Sequence, residues 1–168
     1  MSRPQAKKVS QPEVHVRRAT LGDAGNISRL LFETFGAIRE RYTDEGFADV
    51  TPDAAQIADR FDEGALWVAE IDGEIVGTVS MMPEPEGLYV RSMAVLPDFQ
   101  GRGIAHKLLE AMHGYAEGTG VKRIFLYTLP SRLGARDLYE RHGYTWVRDT
   151  PAEEWYGVPG LEMEKFLS

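Results

Sequence analysis

Val14 and Val16 alternate with His15 and Arg17, the period of two that a half-buried strand produces. Thr20 and Asp23 then form the pattern T-x-x-D, in which short polar side chains satisfy unpaired N–H groups at a helix start. Ile27, Leu30, Leu31, Thr34 and Phe35 follow at helical spacing. The chain therefore opens as strand, then helix. Gly36 and Gly46 interrupt a second helical region, but Thr51-Pro52-Asp53 is a good start for a helix carrying Ile57, Ala58 and Phe61 on one face. From Ala65 the runs ALWVAEI and EIVGTVSMM flank Asp72-Gly73, the signal of a hairpin with a two-residue turn. The prolines of Met82 to Gly87 (MPEPEG) remove ladder donors and predict a loop, after which LYVRSMAV reads as a strand. That strand stops at Leu96-Pro97-Asp98. Gly101 to Glu117 predicts an amphipathic helix with Ile104, Leu108, Met112 and Tyr115 on one stripe. A strand at Ile124 to Leu129, a helix through Leu138 and Tyr139 ending at His142-Gly143, and a strand at Tyr144 to Arg148 complete the centre. A last strand within Leu161 to Leu167 lies beyond a loop holding Trp155 and Tyr156.

The Asp-Gly hairpin requires antiparallel neighbours, while strand-helix-strand alternation in the middle favours a parallel pair with a crossover helix. The expected class is α/β (α+β in some schemes), with a mixed, mostly antiparallel central sheet of about seven strands flanked by helices. The first dozen residues, MSRPQAKKVSQP, show no periodicity. They read as a flexible N-terminal tail, 1–12, ahead of a single domain, 13–168.

Composition narrows the function. The 168 residues are 43% hydrophobic and 27% charged, which excludes collagen-like, fibrous and largely disordered classes. A net charge of −7 repels a phosphate backbone, so no nucleic-acid partner is expected. The absence of cysteine removes disulfides, thiolate metal sites and a Cys acyl-enzyme. No apolar run approaches the roughly 20 residues that cross a bilayer, and the start of the chain is polar where a signal peptide carries an apolar core. A cytoplasmic protein with no membrane partner is the expectation. His106 and His113 share a helix face, but seven residues place their backbones about 10 Å apart, too far for an ordinary mononuclear site, so no metal is expected.

The most informative stretch is Met93 to Ala105 (MAVLPDFQGRGIA), a strand leading through a glycine-containing turn into a helix. Such a turn directs unpaired backbone N–H groups outward at a helix N-terminus, where they and the dipole favour a phosphate or pyrophosphate. Gly101 and Gly103 allow close approach to the backbone. The triphosphate-binding loop does not match, because no Lys-Ser or Lys-Thr follows. The dinucleotide fingerprint does not match either, because His106 occupies its third small position.

Gln100-Gly101-Arg102-Gly103-Ile104-Ala105 does resemble the Q/R-x-x-G-x-G/A signature of the GCN5-related N-acetyltransferase (GNAT) family. The order of elements extends the resemblance from Val14 to about Phe166, and Ala135 to Tyr144 (ARDLYERHGY) resembles the family's closing helix, A-x-x-L-Y-E-x-x-G-Y. The resemblance implies the acyl-CoA N-acyltransferase fold and acetyl-CoA as co-substrate. It implies that Met93, Ala94 and Val95 border pantetheine, with the Val95 N–H polarising the thioester carbonyl as oxyanion donor. Gln100, Gly101, Arg102, Gly103, Ile104 and Ala105 would take the pyrophosphate. Tyr139 matches the tyrosine that touches the coenzyme and protonates the departing thiolate as general acid, although a half-buried helix aromatic also accounts for it.

Two positions depart from the family pattern. Tyr89 stands where many relatives carry an acid, which leaves Glu86 as a weak candidate base. Arg132 stands where many carry Asn, and it either reaches a coenzyme phosphate or is a plain surface arginine. The implied reaction is direct transfer of acetyl to a primary amine of a small molecule or peptide in a ternary complex. Glu33, Tyr89 and Trp155 are the candidate acceptor-binding residues. Glu40 to Glu63 holds eight acids against Arg41 and Arg60, and Asp149 to Ser168 is also acidic, which favours a cationic acceptor unless the acids serve only solubility. A homodimer is common among relatives, and no segment here decides it. The rival reading is a non-catalytic acyl-CoA-binding sensor or interaction module.

Overall fold

The computed structural model describes residues 12–130 and 135–168. The segment 1–11, read as tail, and Arg132 lie outside the described residues. At the centre, Asp72 and Gly73 both take positive φ, 51° and 80°. That is the conformation a two-residue hairpin turn requires to follow the strand twist. The turn joins β2 (Ala65–Ile71) to β3 (Glu74–Glu84), with Ile71 opposite Glu74. Preceding them are β1 (His15–Arg18) and three helices: α1 (Ala24–Gly36), α2 (Asp44–Val50) and α3 (Ala54–Arg60). Following them are β4 (Gly87–Val95), α4 (Ile104–Thr119), β5 (Arg123–Thr128), α5 (Ala135–Arg141), β6 (Thr145–Thr150) and β7 (Gly160–Phe166). The strands form one sheet in the order β1-β2-β3-β4-β5-β7-β6. Every neighbouring pair is antiparallel except β4 and β5, which α4 connects in parallel.

Alternation along β2 divides the interior into two cores. Ala65, Trp67, Ala69 and Ile71 pack with Ile104, Leu108 and Met112 of α4, while Leu66 and Val68 pack with Ile27, Leu31 and Ile57 of α1 and α3. The helix starts follow from capping chemistry. Asp53 accepts from the Gln56 N–H at 2.8 Å while the Gln56 side chain accepts from the Asp53 N–H at 2.9 Å. Asp23 closes a similar box with Thr20 and is also paired with Arg17.

Two sequence expectations are corrected. MPEPEG is not a loop: β3 continues through Pro83 to Glu84, and only Pro85 and Glu86 turn before β4. Beyond Met81, β3 has β4 as its one neighbour, an edge position where a proline is tolerated. Gly46 does not break its helix but lies buried within α2. A Cβ there would sit 3.0 Å from Val158 and 3.4 Å from Trp155, so glycine lets the segment between β6 and β7 close onto α2.

Where α4 meets the segment after α5, His113 Nε2 and the Tyr144 hydroxyl are hydrogen-bonded at 2.8 Å, and His106 Nδ1 lies 2.7 Å from His142 Nε2. Burial, with Lys165 and His142 nearby, holds His113 down to about 4. Burial and the neighbouring His106 also lower His142. The unfolded chain takes up these protons near pH 6.5, whereas folded His113 refuses its proton until about pH 4. The stabilisation is complete above pH 6.5 and is lost as the pH falls through that window. Urea denaturation across this range is expected to show a loss of roughly 2 kcal/mol, His113 being partly exposed, and His113→Gln should flatten the slope.

Candidate active site

The site begins where two parallel strands stop pairing. β4 and β5 are in register at Leu88 with Ile124, Tyr89 with Phe125 and Val90 with Leu126, and at no later position. Just beyond Arg91 the β3–β4 register shifts, and Ser92 adopts φ 57°, a conformation that costs a non-glycine residue about 1 to 2 kcal/mol. This bulge inserts one residue, so Val90 and Met93, rather than Val90 and Ser92, face the α4 core. It also bends β4 away from β5 and opens the sheet.

The gap is lined by backbone. Leu96 N–H donates to Val76 O at 2.9 Å, so Val76 and Leu96 form a hydrogen-bonded pair, and ladder alternation makes the next pair, Gly77 and Val95, non-bonded. The Val95 N–H and C=O therefore point away from β3, toward the gap. The Gln100 side chain donates to the Val95 carbonyl at 3.0 Å and ties the following loop to the strand end. In that loop Gly101 and Gly103 both have φ +79°, and no atom lies within 4 Å of a Cβ built on either. The loop is thus an open cradle at the start of α4, suited to an anionic group. Arg102, within the same loop, stacks 5.0 Å from the Phe99 ring centroid and donates to Asp98 O at 3.2 Å.

On the face carrying α1 to α3, the gap opens into a cleft of about 740 Å³. Tyr89, Phe125 and Tyr127 form one wall: Tyr89 stacks on Phe125 with centroids 5.3 Å apart and meets Tyr127 edge-on. Burial raises the Tyr89 phenol above its ordinary value. Trp155 is part of the roof, its indole N–H donating to Asp49 at 2.9 Å. Tyr139, 4% exposed and edge-on to Tyr144, lines the cleft along with Met93 and Thr128. Ala94 is buried on the other face of β4, while Ile104 and Ala105 begin α4.

Sequence reasoning brought Tyr89, Trp155, Tyr139 and Met93 to one cleft. Glu33 is elsewhere, beside Asp72, Gly73 and Leu96 at a second depression. Glu86 is exposed at the cleft rim, and the nine residues of β4 put it roughly 25 Å from Val95, beyond direct proton contact. Missed were Arg60, Arg91, Ser92 and Glu162, all of which line the cleft. The basic residue in the acidic run was visible at position 60, but the fold that turns it inward was not.

The chain matches the family model described as acetyltransferase (GNAT) family over residues 27–144. It is 30% identical to the N-acetyltransferase YjgM of Escherichia coli K12 across 138 residues, 79% of this chain and 82% of that protein. It is 33% identical to the probable N-acetyltransferase camello of Xenopus tropicalis over 86 residues, 49% of this chain and only 39% of the frog protein. The PaiA N-acetyltransferase of Thermoplasma acidophilum, solved with coenzyme A, superposes with a TM-score of 0.78 at 14% identity, covering 92% of this chain and 99% of that one. A parted β4–β5 pair leading to a glycine cradle, together with these matches, defines an acetyl-CoA-dependent N-acetyltransferase. The chain belongs to the GNAT family. No helix among the described residues is long and apolar enough to cross a membrane.

Glu162 is 8% exposed and bridges two arginines, accepting from Arg123 Nη2 at 3.0 Å and from Arg148 Nε at 3.0 Å. Arg148 reaches on to Glu154, which ties β7 to the roof. Glu162→Gln leaves two guanidinium groups facing a neutral amide, and an equilibrium urea titration should show a loss of about 2 kcal/mol.

Proposed function

We propose that this chain transfers acetyl directly from acetyl-CoA to a primary amine of a small molecule or peptide while both substrates are bound. The observation that carries this reading is the parting of β4 from β5 beyond Val90, which leaves the Val95 N–H facing away from β3, with Tyr139 lining the adjoining cleft. Acetyl-CoA supplies an activated acetyl group. The residues that would hold it are Met93 to Val95 along the gap and Gln100 to Ala105 at the cradle, whose open glycine positions fit a pyrophosphate.

The Val95 N–H stabilises negative charge developing on the carbonyl oxygen, a fixed donor needing no reorganisation. The Tyr139 hydroxyl supplies a proton to the departing thiolate, which as it forms is a base the phenol can protonate. The amine approaches along the cleft from the face carrying α1 to α3. Its excess proton leaves along the same cleft, where Glu86 can act only through intervening water. Of the Glu40–Glu63 and Asp149–Tyr156 acids that line or rim the cleft, Glu63 and Glu154 are already neutralised by Arg91 and Arg148, which weakens their pull on a cationic amine.

Tyr139→Phe separates an enzyme from a non-catalytic binder. Steady-state thiol release should fall about 100-fold or more, with calorimetric acetyl-CoA binding retained, and an unchanged rate would remove Tyr139 from the mechanism. Gly103→Val should instead weaken acetyl-CoA binding about tenfold or more in the same calorimetry, since it strains a positive-φ position and fills the cradle.

A further inference from the structure

Resting on that reading of the site, we infer that the acceptor amine carries a carboxylate, and that Arg60, backed by Arg91, receives it beside Ser92. Arg60 ends α3 and lines the cleft, where Nη1 donates to the Ser92 hydroxyl at 2.8 Å. Among the described residues this is the one hydrogen bond of the guanidinium, and no carboxylate lies within ion-pair distance of it. The other arginines of the cleft are engaged: Arg123 with Glu162 and Glu164, and Arg91 with Glu63.

A guanidinium turned inward without a counter-ion bears a desolvation cost that a bound anion relieves. Burial and the neighbouring charge of Arg91 hold Arg60 down to about 10, with Asp49 and Glu63 compensating only at longer range. A second observation points to the same ligand. Arg91 and Thr128 line the same cleft, and each has a buried polar atom just behind its wall, Nε and Oγ1, with no hydrogen-bond partner among the described residues. Unmade hydrogen bonds of this kind mark a place where a polar group is missing.

Position then assigns the role. Ser92 is the bulge residue at which β4 leaves β5, so a carboxylate on Arg60 is anchored at the mouth of the gap. The amine of the same small molecule then lies toward the gap. A planar fork matches a carboxylate in two-pronged fashion, which a primary amide cannot reproduce. The substrate class is therefore an amino acid or an equally small amino carboxylate, rather than a polyamine.

The test is acetylation by the intact protein of the standard α-amino acids, each beside its own carboxamide, with spermidine and putrescine included. At least one amino acid should exceed its amide in kcat/KM by about 10- to 100-fold, and Arg60→Met should collapse that ratio toward one. Arg60→Lys keeps the charge without the fork and should give an intermediate ratio, which carries the test if Arg60→Met does not fold. Acetyl-CoA calorimetry serves as the folding control for both. Equal use of acids and amides, preference for the polyamines, or a ratio unchanged in the Arg60 variants overturns the inference while leaving acetyl transfer standing. Failure to acetylate any amine of the panel overturns the inference, and failure extending to a set of peptide N-termini and lysine peptides, with acetyl-CoA still bound, overturns both.

Discussion

The parallel pairing of β4 with β5 lasts for only three residues, and the rest of the molecule is organised around its end. On one side, β1 to β4 are bound into a single antiparallel ladder, and on the other β5, β7 and β6 form a second. The two half-sheets meet along the short run from Leu88 to Val90. Backbone groups beyond it would carry a large penalty if sealed in a dry interior, so the parted strands have to face solvent or a ligand. A sheet that stops pairing in its middle thereby acquires a binding cleft without sacrificing either core, because α4 and α1 each bury their own face of the first half-sheet.

The electrostatics of that cleft differ from what its sequence neighbourhood suggests. The stretch Glu40 to Glu63 is strongly acidic as a string of residues, yet its acids are distributed over separate tasks. Asp44 pairs with Arg39, Asp53 caps α3, Asp49 holds the Trp155 indole and Glu63 neutralises Arg91. Turned into the cleft, and without a carboxylate in ion-pair distance among the described residues, is a cation of the same run, Arg60. Net charge describes the field far from the surface, whereas recognition depends on which charges have no counter-ion close by.

The fold was largely legible because its signals are local. Alternation in ALWVAEI, the Asp-Gly turn, the T-x-x-D box and the Gly-rich turn before Ile104 each depend on a few neighbouring residues. The failures concern tertiary context. Pro83 stays in its strand because β2 begins only opposite Met81, a fact written at Ala65 rather than beside the proline. Gly46 reads as a helix breaker but is demanded by Val158 and Trp155 packing on it from the far end of the sequence. The site divides in the same way. The cradle and Tyr139 could be found from motifs, while Ser92 gives no sign, in a serine flanked by Arg91 and Met93, that it will bulge with positive φ. Glu33 was placed by analogy of helix and lies outside the cleft, at a depression near the hairpin turn.

The roof of the cleft comes from two segments far apart in sequence, 42–60 and 150–160, and they behave as one piece. The Thr43 hydroxyl donates to Tyr156 O, Asp49 accepts from Trp155, and Tyr42 meets the Trp155 ring edge-on at 6.1 Å. Gly46 allows their backbones to approach closely. The cradle and the strand gap, by contrast, belong to the sheet and to α4. On the proposed reading of the site, a division of labour follows: groups that would recognise the common donor are built on the rigid sheet, and groups that would select the acceptor on a linked pair of segments. Substitutions at exposed roof positions such as Tyr156 can then alter which amine enters with little effect on the loop after Val95, whereas Tyr42 and Val158 share a core with Ala94 of β4 and are tied to the strand itself.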